Sequence, residues 1–173
     1  MATNIEGSDG LLVEKNGPVV TITIDRPEVM NAMTTEMFAN FGRICRQVST
    51  DPGVRAVVVT GSGGNFCSGA DVGAQGQRAA AEERPHQLRT MRLISETVIA
   101  LHELQHPVVA KVRGVAVGAG MNLALGCDMV VASDTARFSE IFARRGLSLD
   151  FGGSWLLPRQ VGLNRAKELA LLA

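Results

Sequence analysis

The chemistry available to this chain lies in two glycine-rich stretches and one aspartate. Lys111–Leu125 reads as a valine-rich strand, a turn carrying Gly114, Gly118 and Gly120, and a helix formed by Met121–Leu125. A helix leaves its first N–H groups unpaired and carries about half a positive charge at that end, so an oxygen that becomes negative during a reaction is well placed there. The same pattern also suits tight packing or a dinucleotide phosphate. The dinucleotide fingerprint lacks its third glycine, however, since Gly118-Ala119-Gly120 is followed by Leu123, and no Gly-x-x-x-x-Gly-Lys-Ser/Thr run occurs. Gly61–Asp71 is a second long glycine-rich loop, at the carboxyl end of a strand, where open α/β sheets place ligands. Asp150, just before Gly152-Gly153, suits either an N-cap or proton transfer.

Other chemistries find little support. The 17 basic and 17 acidic residues cancel, and no basic block is present, which argues against nucleic acid. Cys45, Cys67 and Cys127 show no Cys-x-x-Cys spacing, so neither a zinc site nor a disulfide framework is indicated, and reduced thiols in a cytoplasmic protein are expected. His86, His102 and His106 have no acidic or thiol cluster at ligand spacing, leaving a surface or packing role and no metal. Met1–Gly10 lacks the apolar core of a signal peptide, and no run of about twenty apolar residues suggests a membrane span.

The positioning elements follow from periodicity. At 173 residues and 46% hydrophobic, the chain has the size and core of a single domain, 1–173. Leu11–Lys15 and Val19–Ile24 flank Asn16-Gly17, a type I′ hairpin pair. Thr34 or Thr35 caps a helix whose apolar face is Met37, Phe41, Ile44 and Val48, stopped by Asp51-Pro52-Gly53. Ala56–Thr60 reads as a strand covered on both faces. Residues 72–83 read as a flap, and Pro85 opens a helix with Leu88, Met91, Ile94, Val98 and Leu101 on one face. Val108–Val112 feeds the central turn, Met129–Ala132 is a further strand, Ala136–Phe142 leads into a loop, and Gly162–Ala173 is helical. Strand, strand, helix recurs, implying an α/β core.

Four ordered motifs give a resemblance. Arg26-Pro27 with Asn31-Ala32, Asn65-Phe66-Cys67-Ser68-Gly69-Ala70-Asp71, Gly114 with Gly118-Ala119-Gly120 and Leu123-Ala124, and Cys127-Asp128 are similar to the enoyl-CoA hydratase/isomerase (crotonase) superfamily. The resemblance implies a spiral of repeated β-β-α units. It also implies an acyl-CoA thioester as ligand, with coenzyme A as part of the substrate and no separate cofactor. It places the oxyanion-holding N–H groups on Ala70 and Ala119, and acyl-CoA binding on Arg26, Asn31, Ser68, Gly69, Asp71 and Gly118. A homotrimer or hexamer is expected by the same resemblance. Members usually continue into further helices, so the chain is expected to be truncated at its C-terminus and its assembly weakened.

The departures from that pattern carry the functional expectation. Typical hydratases of the superfamily use two glutamates, and alignment puts Asn122 and Phe142 at those positions. Glu140 is expected to be a surface or neighbouring residue, unless the register slips. Asp150, in Asp-x-Gly-Gly-x-Trp-Leu-Leu-Pro-Arg, matches the superfamily's single-aspartate isomerases, such as ring-1,2-epoxyphenylacetyl-CoA isomerases. Double-bond or ring isomerisation with Asp150 as proton shuttle is therefore expected first and hydration second. A nucleophilic aspartate, and a non-catalytic acyl-CoA-binding or assembly subunit, are the further alternatives.

Overall fold

The computed structural model describes residues 5–71 and 87–173. The expected flap at 72–83, and Pro85 and His86, lie outside the described residues.

The framework is a five-stranded sheet in the order β1-β2-β3-β4-β6. β1 (Leu11–Asn16) is antiparallel to β2 (Val19–Ile24), whereas β3 (Ala56–Gly61), β4 (Val108–Val112) and β6 (Met129–Ala132) continue from β2 in parallel. Val20, Ile22, Ile24, Val57 and Val59 alternate into the core at 0% exposure, as the period of a strand requires. The hairpin differs from expectation by one residue. Asn16 pairs with Val19, so the connecting pair is Gly17-Pro18, with positive φ at Gly17 and not at Asn16. Proline cannot take positive φ, so a type I′ turn is ruled out and Gly17 alone supplies the reversal.

α1 (Thr35–Ser49) is capped by the Thr34 hydroxyl, which accepts Met37 N–H at 3.2 Å, and it buries Met37, Phe38, Phe41, Ile44, Cys45 and Val48. It packs against α2 (Gln87–His102). A Cβ at Gly42 would stand 3.2 Å from Thr97 Cα, and the buried Thr97 hydroxyl donates to Phe38 O at 2.9 Å across the interface. Asp51 ends this unit by accepting from Lys15 at 2.7 Å and from the Gly53 N–H at 2.8 Å.

Val108–Val112 feeds the central turn as expected, but that turn holds a short strand of its own. The chain leaves the main sheet at Gly114 (φ 57°), and β5 (Val115–Val117) pairs in parallel with β7 (Arg137–Ser139) in a second, two-stranded sheet. The break has a steric cause, because a Cβ at Gly114 would fall on Asn65 Oδ1 and Gly64 O. α3 (Ala119–Leu125) follows β5 and is buried throughout. After β7 come a 3-10 turn (Ile141–Arg145), α4 (Gly153–Val161) and α5 (Leu163–Leu172). The β-β-α unit is thus seen at β1-β2-α1 and β4-β5-α3, and β6-β7 begins a third that turns through the 3-10 segment into α4.

Gly120 is the tightest contact between the central turn and the Gly61–Asp71 loop, since a Cβ there would land on the Cys67 carbonyl. Gly120→Ala is expected to lower unfolding free energy by about 1–3 kcal/mol, read as a reduced denaturant midpoint at unchanged slope. A variant as stable as the parent would show that the two loops do not pack this closely.

Candidate active site

Main-chain pairing aims the two expected donors. Residues Phe66–Asp71 run between two partners: Phe66 and Cys67 N–H donate to Val115 O, and Val117 N–H donates back to Cys67 O at 3.0 Å. On the other side Met33 N–H donates to Gly69 O at 2.8 Å and Asp71 N–H to Met33 O at 2.9 Å. That bridge uses the groups flanking Ala70, so Ala70's own N–H points away from Met33. Ala119 opens α3, where the first helical bond is Asn122 N–H to Gly118 O, so its N–H has no intrahelical acceptor. Neither the Ala70 nor the Ala119 N–H has an acceptor among the described residues. Gly69 brings the two loops together: a Cβ there would be 2.8 Å from Val117 O and 3.5 Å from Ala119 N.

The residues expected to bind acyl-CoA gather behind Ala70. Arg26 Nη1 donates to Asp71 Oδ2 at 2.9 Å and to Ala32 O at 2.7 Å, and the Ser68 hydroxyl donates to Val29 O at 3.2 Å. Asn31, in the left-handed region at φ 59°, accepts Arg26 N–H and donates to Ser62 O and Asn65 O at 2.9 and 2.8 Å. Direct ligand contact by its side chain is corrected by this geometry, since Asn31 is 0% exposed and fully engaged. Its task is to tie its own loop, from Arg26, to the Gly61–Asp71 loop. Gly118 sits at φ 55°, with the Phe142 ring 3.5 Å from where its Cβ would be.

At the other end the acidic groups come together. Asn122 Nδ2 donates to Asp150 O at 3.0 Å and to Glu140 Oε2 at 3.3 Å. Asp150 is not an N-cap. α4 is preceded by Gly152 with no side-chain cap bond, Gly153 N–H goes to the Asp150 main-chain oxygen, and Asp150 Oδ1 is buried without a partner. Removal from water pushes the Asp150 carboxyl up to about 6. Of the surface or neighbouring position expected for Glu140, the surface is corrected, because it is 1% exposed, and the residue is a buried neighbour of Asn122. Burial pushes its carboxyl up to about 7, with the Asn122 hydrogen bond opposing and the Asp150 charge adding. No register slip is needed. Ser139 O accepts Gly118 N–H at 2.8 Å, Phe142 keeps its place beside Gly118, and Glu140 enters from the residue after β7. A motif alignment examines one column at a time and overlooks such a neighbour. The available signal was a lone glutamate directly preceding the apolar pair Ile141-Phe142.

Phe151 follows Asp150 in the left-handed region at φ 47°, uncommon for a bulky residue, and its ring lies 5.3 Å from that of Phe38. Beside it a cleft of about 210 Å³ is lined by Ile94, Ser95, Val98, Ile99, Phe151 and Gly152. It offers an apolar recess next to the aspartate.

Other reactive groups are inert or dispersed. Burial pushes the Cys45 and Cys67 thiols up to about 12 and Cys127 upward as well, so none is a thiolate nucleophile. Among the described residues no group of three or more His, Cys, Asp or Glu could hold a metal ion, and no helix is long and apolar enough to cross a membrane. His102 is exposed and His106 half-buried.

Two main-chain N–H groups without acceptors among the described residues, a set of tied loops and a half-buried aspartate near a buried glutamate make up the candidate site of this α/β chain. The chain belongs to the enoyl-CoA hydratase/isomerase family, whose model matches residues 14–173. It is 40% identical over 160 residues to the 1,2-epoxyphenylacetyl-CoA isomerase of Escherichia coli K12, covering 92% of this chain and 60% of that protein. It is 42% identical over 168 residues to the "Probable enoyl-CoA hydratase" of Rhodobacter capsulatus, covering 97% and 60%. Among solved structures, a Thermobifida fusca protein of enoyl-CoA hydratase type, in complex with acetoacetyl-CoA, superposes with a TM-score of 0.83 at 36% identity, covering 95% of this chain and 66% of that one. The chain spans about 60% of the length of these curated relatives.

The raised carboxyls have a consequence for stability. Both groups hold their protons more tightly folded than unfolded, so their ionisation costs stability as pH rises from the ordinary carboxylate range through about 7, and nothing further above it. Glu140→Gln removes the upper part of that loss. Its unfolding midpoint is expected to gain on the parent by a few degrees between pH about 5 and about 8; a constant difference would contradict the burial of an ionisable Glu140.

Proposed function

We propose that the protein isomerises an acyl-CoA thioester, by double-bond migration or the related ring isomerisation, with Asp150 as the proton shuttle. The observation that carries this reading is the half-buried, non-capping Asp150, whose Oδ1 is buried without a partner among the described residues, beside an apolar cleft and with its main-chain oxygen tied by Asn122 to the helix that starts at the Ala119 donor. With its carboxyl near 6, Asp150 is mostly ionised at neutral pH yet more basic than an exposed aspartate, as a general base should be. It takes the proton from the α-carbon while the C–H electron pair moves to the thioester oxygen, which Ala70 and Ala119 N–H hold as an enolate. The same carboxyl then returns the proton two carbons away. Coenzyme A enters as part of the substrate, and the steps require no separate cofactor.

Hydration is the second reading, favoured by relatives named as hydratases and by a second carboxyl beside Asp150. It asks for one group to activate water and another to deliver a proton. Glu140, at 1% exposure, does not face the substrate, and this keeps isomerisation first. A homo-oligomer in a cytoplasmic setting belongs to the proposal as well; exposed Trp155, Leu163, Leu171 and Leu172 on α4 and α5 supply apolar surface for assembly.

The test is a panel of 2-enoyl-, 3-enoyl- and aromatic ring-epoxide acyl-CoA substrates, with products identified by mass and chromatography. Migrated double bonds or rearranged rings support isomerisation. A 3-hydroxyacyl product selects hydration, and binding without product selects an acyl-CoA-binding subunit. Asp150→Asn is expected to fold, to bind acyl-CoA and to lose turnover by about 10²- to 10⁴-fold, and near-parental turnover would remove Asp150 from the mechanism. Ala119→Pro deletes one oxyanion donor, with an expected loss of about 10²- to 10³-fold in kcat. If a folded Ala119→Pro variant turns over normally, the donor lies elsewhere.

A further inference from the structure

Glu140 is the buried ionisable group that this mechanism leaves unused. The Asn122 amide nitrogen reaches both acidic residues, at Glu140 Oε2 and Asp150 O, while Glu140 Oε1, Asp150 Oδ1 and Asn122 Oδ1 are all buried without partners. Three orphaned oxygens around one amide cannot satisfy one another, because every one of them accepts. A single proton on a carboxyl turns one acceptor into a donor and relieves the surplus.

We propose that Glu140 is a positioning residue: Asn122, by donating to the Glu140 carboxylate and to the Asp150 main-chain oxygen, holds the two acids as a pair, and the proton this pair retains sets the basicity of Asp150. The proposal rests on the assignment of Asp150 as the base. No other charge competes for the pair among the described residues around it. α3 and β5 carry no titratable side chain. On the 3-10 turn Arg144 and Arg145 are exposed, and Arg144 donates to Leu172 O. Arg137 of β7 donates to its own loop at Thr135 O and Ala136 O, and Arg159 of α4 stacks on Trp155. The direction of the Glu140 shift agrees with the pairing, since Asp150's charge adds to the rise that burial causes there. During turnover Glu140 keeps its proton while Asp150 accepts one from substrate and gives it back, so protons balance without a further donor. Once Glu140 is ionised at higher pH, its charge makes Asp150 a stronger base.

The experiment titrates the side-chain carboxyls of the whole chain by ¹³C NMR, in the parent, Glu140→Gln and Asp150→Asn, alongside pH profiles of kcat and acyl-CoA affinity. In Asp150→Asn the Glu140 midpoint is expected to fall by about one unit, because its charged neighbour is gone. The parental kcat profile should carry two ionisations and that of Glu140→Gln one. The Glu140→Gln variant should lose about tenfold in kcat above neutral pH, with acyl-CoA Kd moving less than about twofold. A Glu140 midpoint unmoved by Asp150→Asn, or a Glu140→Gln profile that matches the parent, overturns the proposal. An active Asp150→Asn would instead remove the base assignment, while the NMR titration would still decide whether the two acids are paired.

Discussion

The site depends on one close backbone contact, the meeting of the Phe66–Ala70 loop with the Val115–Gly120 turn. Three main-chain hydrogen bonds join them, and the approach is close enough that side chains at Gly69, Gly114 or Gly120 would strike backbone or side-chain atoms of the facing loop. Glycine here serves proximity as much as dihedral freedom. Two strand ends that belong to different sheets are thereby held so that one N–H from each lacks an acceptor. Donors fixed in this way need no reorganisation when negative charge develops beside them.

A second constraint is the balance between burial and charge at the acidic end. Placing two carboxyls beside Phe142 and Phe151 penalises their charged forms, and among the described residues Asn122 donates to the Glu140 carboxylate while it reaches Asp150 at the main-chain oxygen. The substitution of asparagine and phenylalanine at the positions where hydratases of the family keep glutamates therefore does more than delete acids. Asn122 bridges the acids that remain, and its crowding against Gly153 explains why α4 begins on a glycine. The left-handed turn at Phe151 sends its ring against Phe38, so the aspartate loop is pinned to the main core. A local backbone cost is offset by burial of that ring.

The loop-tying residues differ from the candidate site groups in how they spend their hydrogen bonds. Arg26, Asn31, Ser68 and Asp71 direct their polar atoms to neighbouring loops. The Ala70 and Ala119 N–H groups and the Asp150 carboxyl instead keep unused capacity. Buried polar groups are normally satisfied, so that contrast separates scaffold from site without reference to relatives.

The sequence by itself determined the α/β class, α1 with its Thr34 cap, the valine-rich strands and the two glycine loops, because periodicity, caps and turn residues are local properties. It also singled out Ala70, Ala119 and Asp150 through ordered motifs. It misplaced the hairpin loop by one residue, since Asn16-Gly17 is locally the better turn while the pairing with β2 makes Gly17-Pro18 the loop. It read Gly114–Gly120 as a turn throughout and missed β5 within it, since the partner strand β7 that pairs with Val115–Val117 comes only later in the chain, at Arg137–Ser139. Tertiary structure alone decided the fate of the three carboxyl and amide side chains. Asn122, Glu140 and Asp150 lie up to 28 positions apart in the chain, and their burial and shared hydrogen bonds exist only once α3, β7 and the loop before α4 are packed. An aspartate before two glycines is an N-cap or a base according to where its oxygens point, and that direction is a property of the folded neighbourhood.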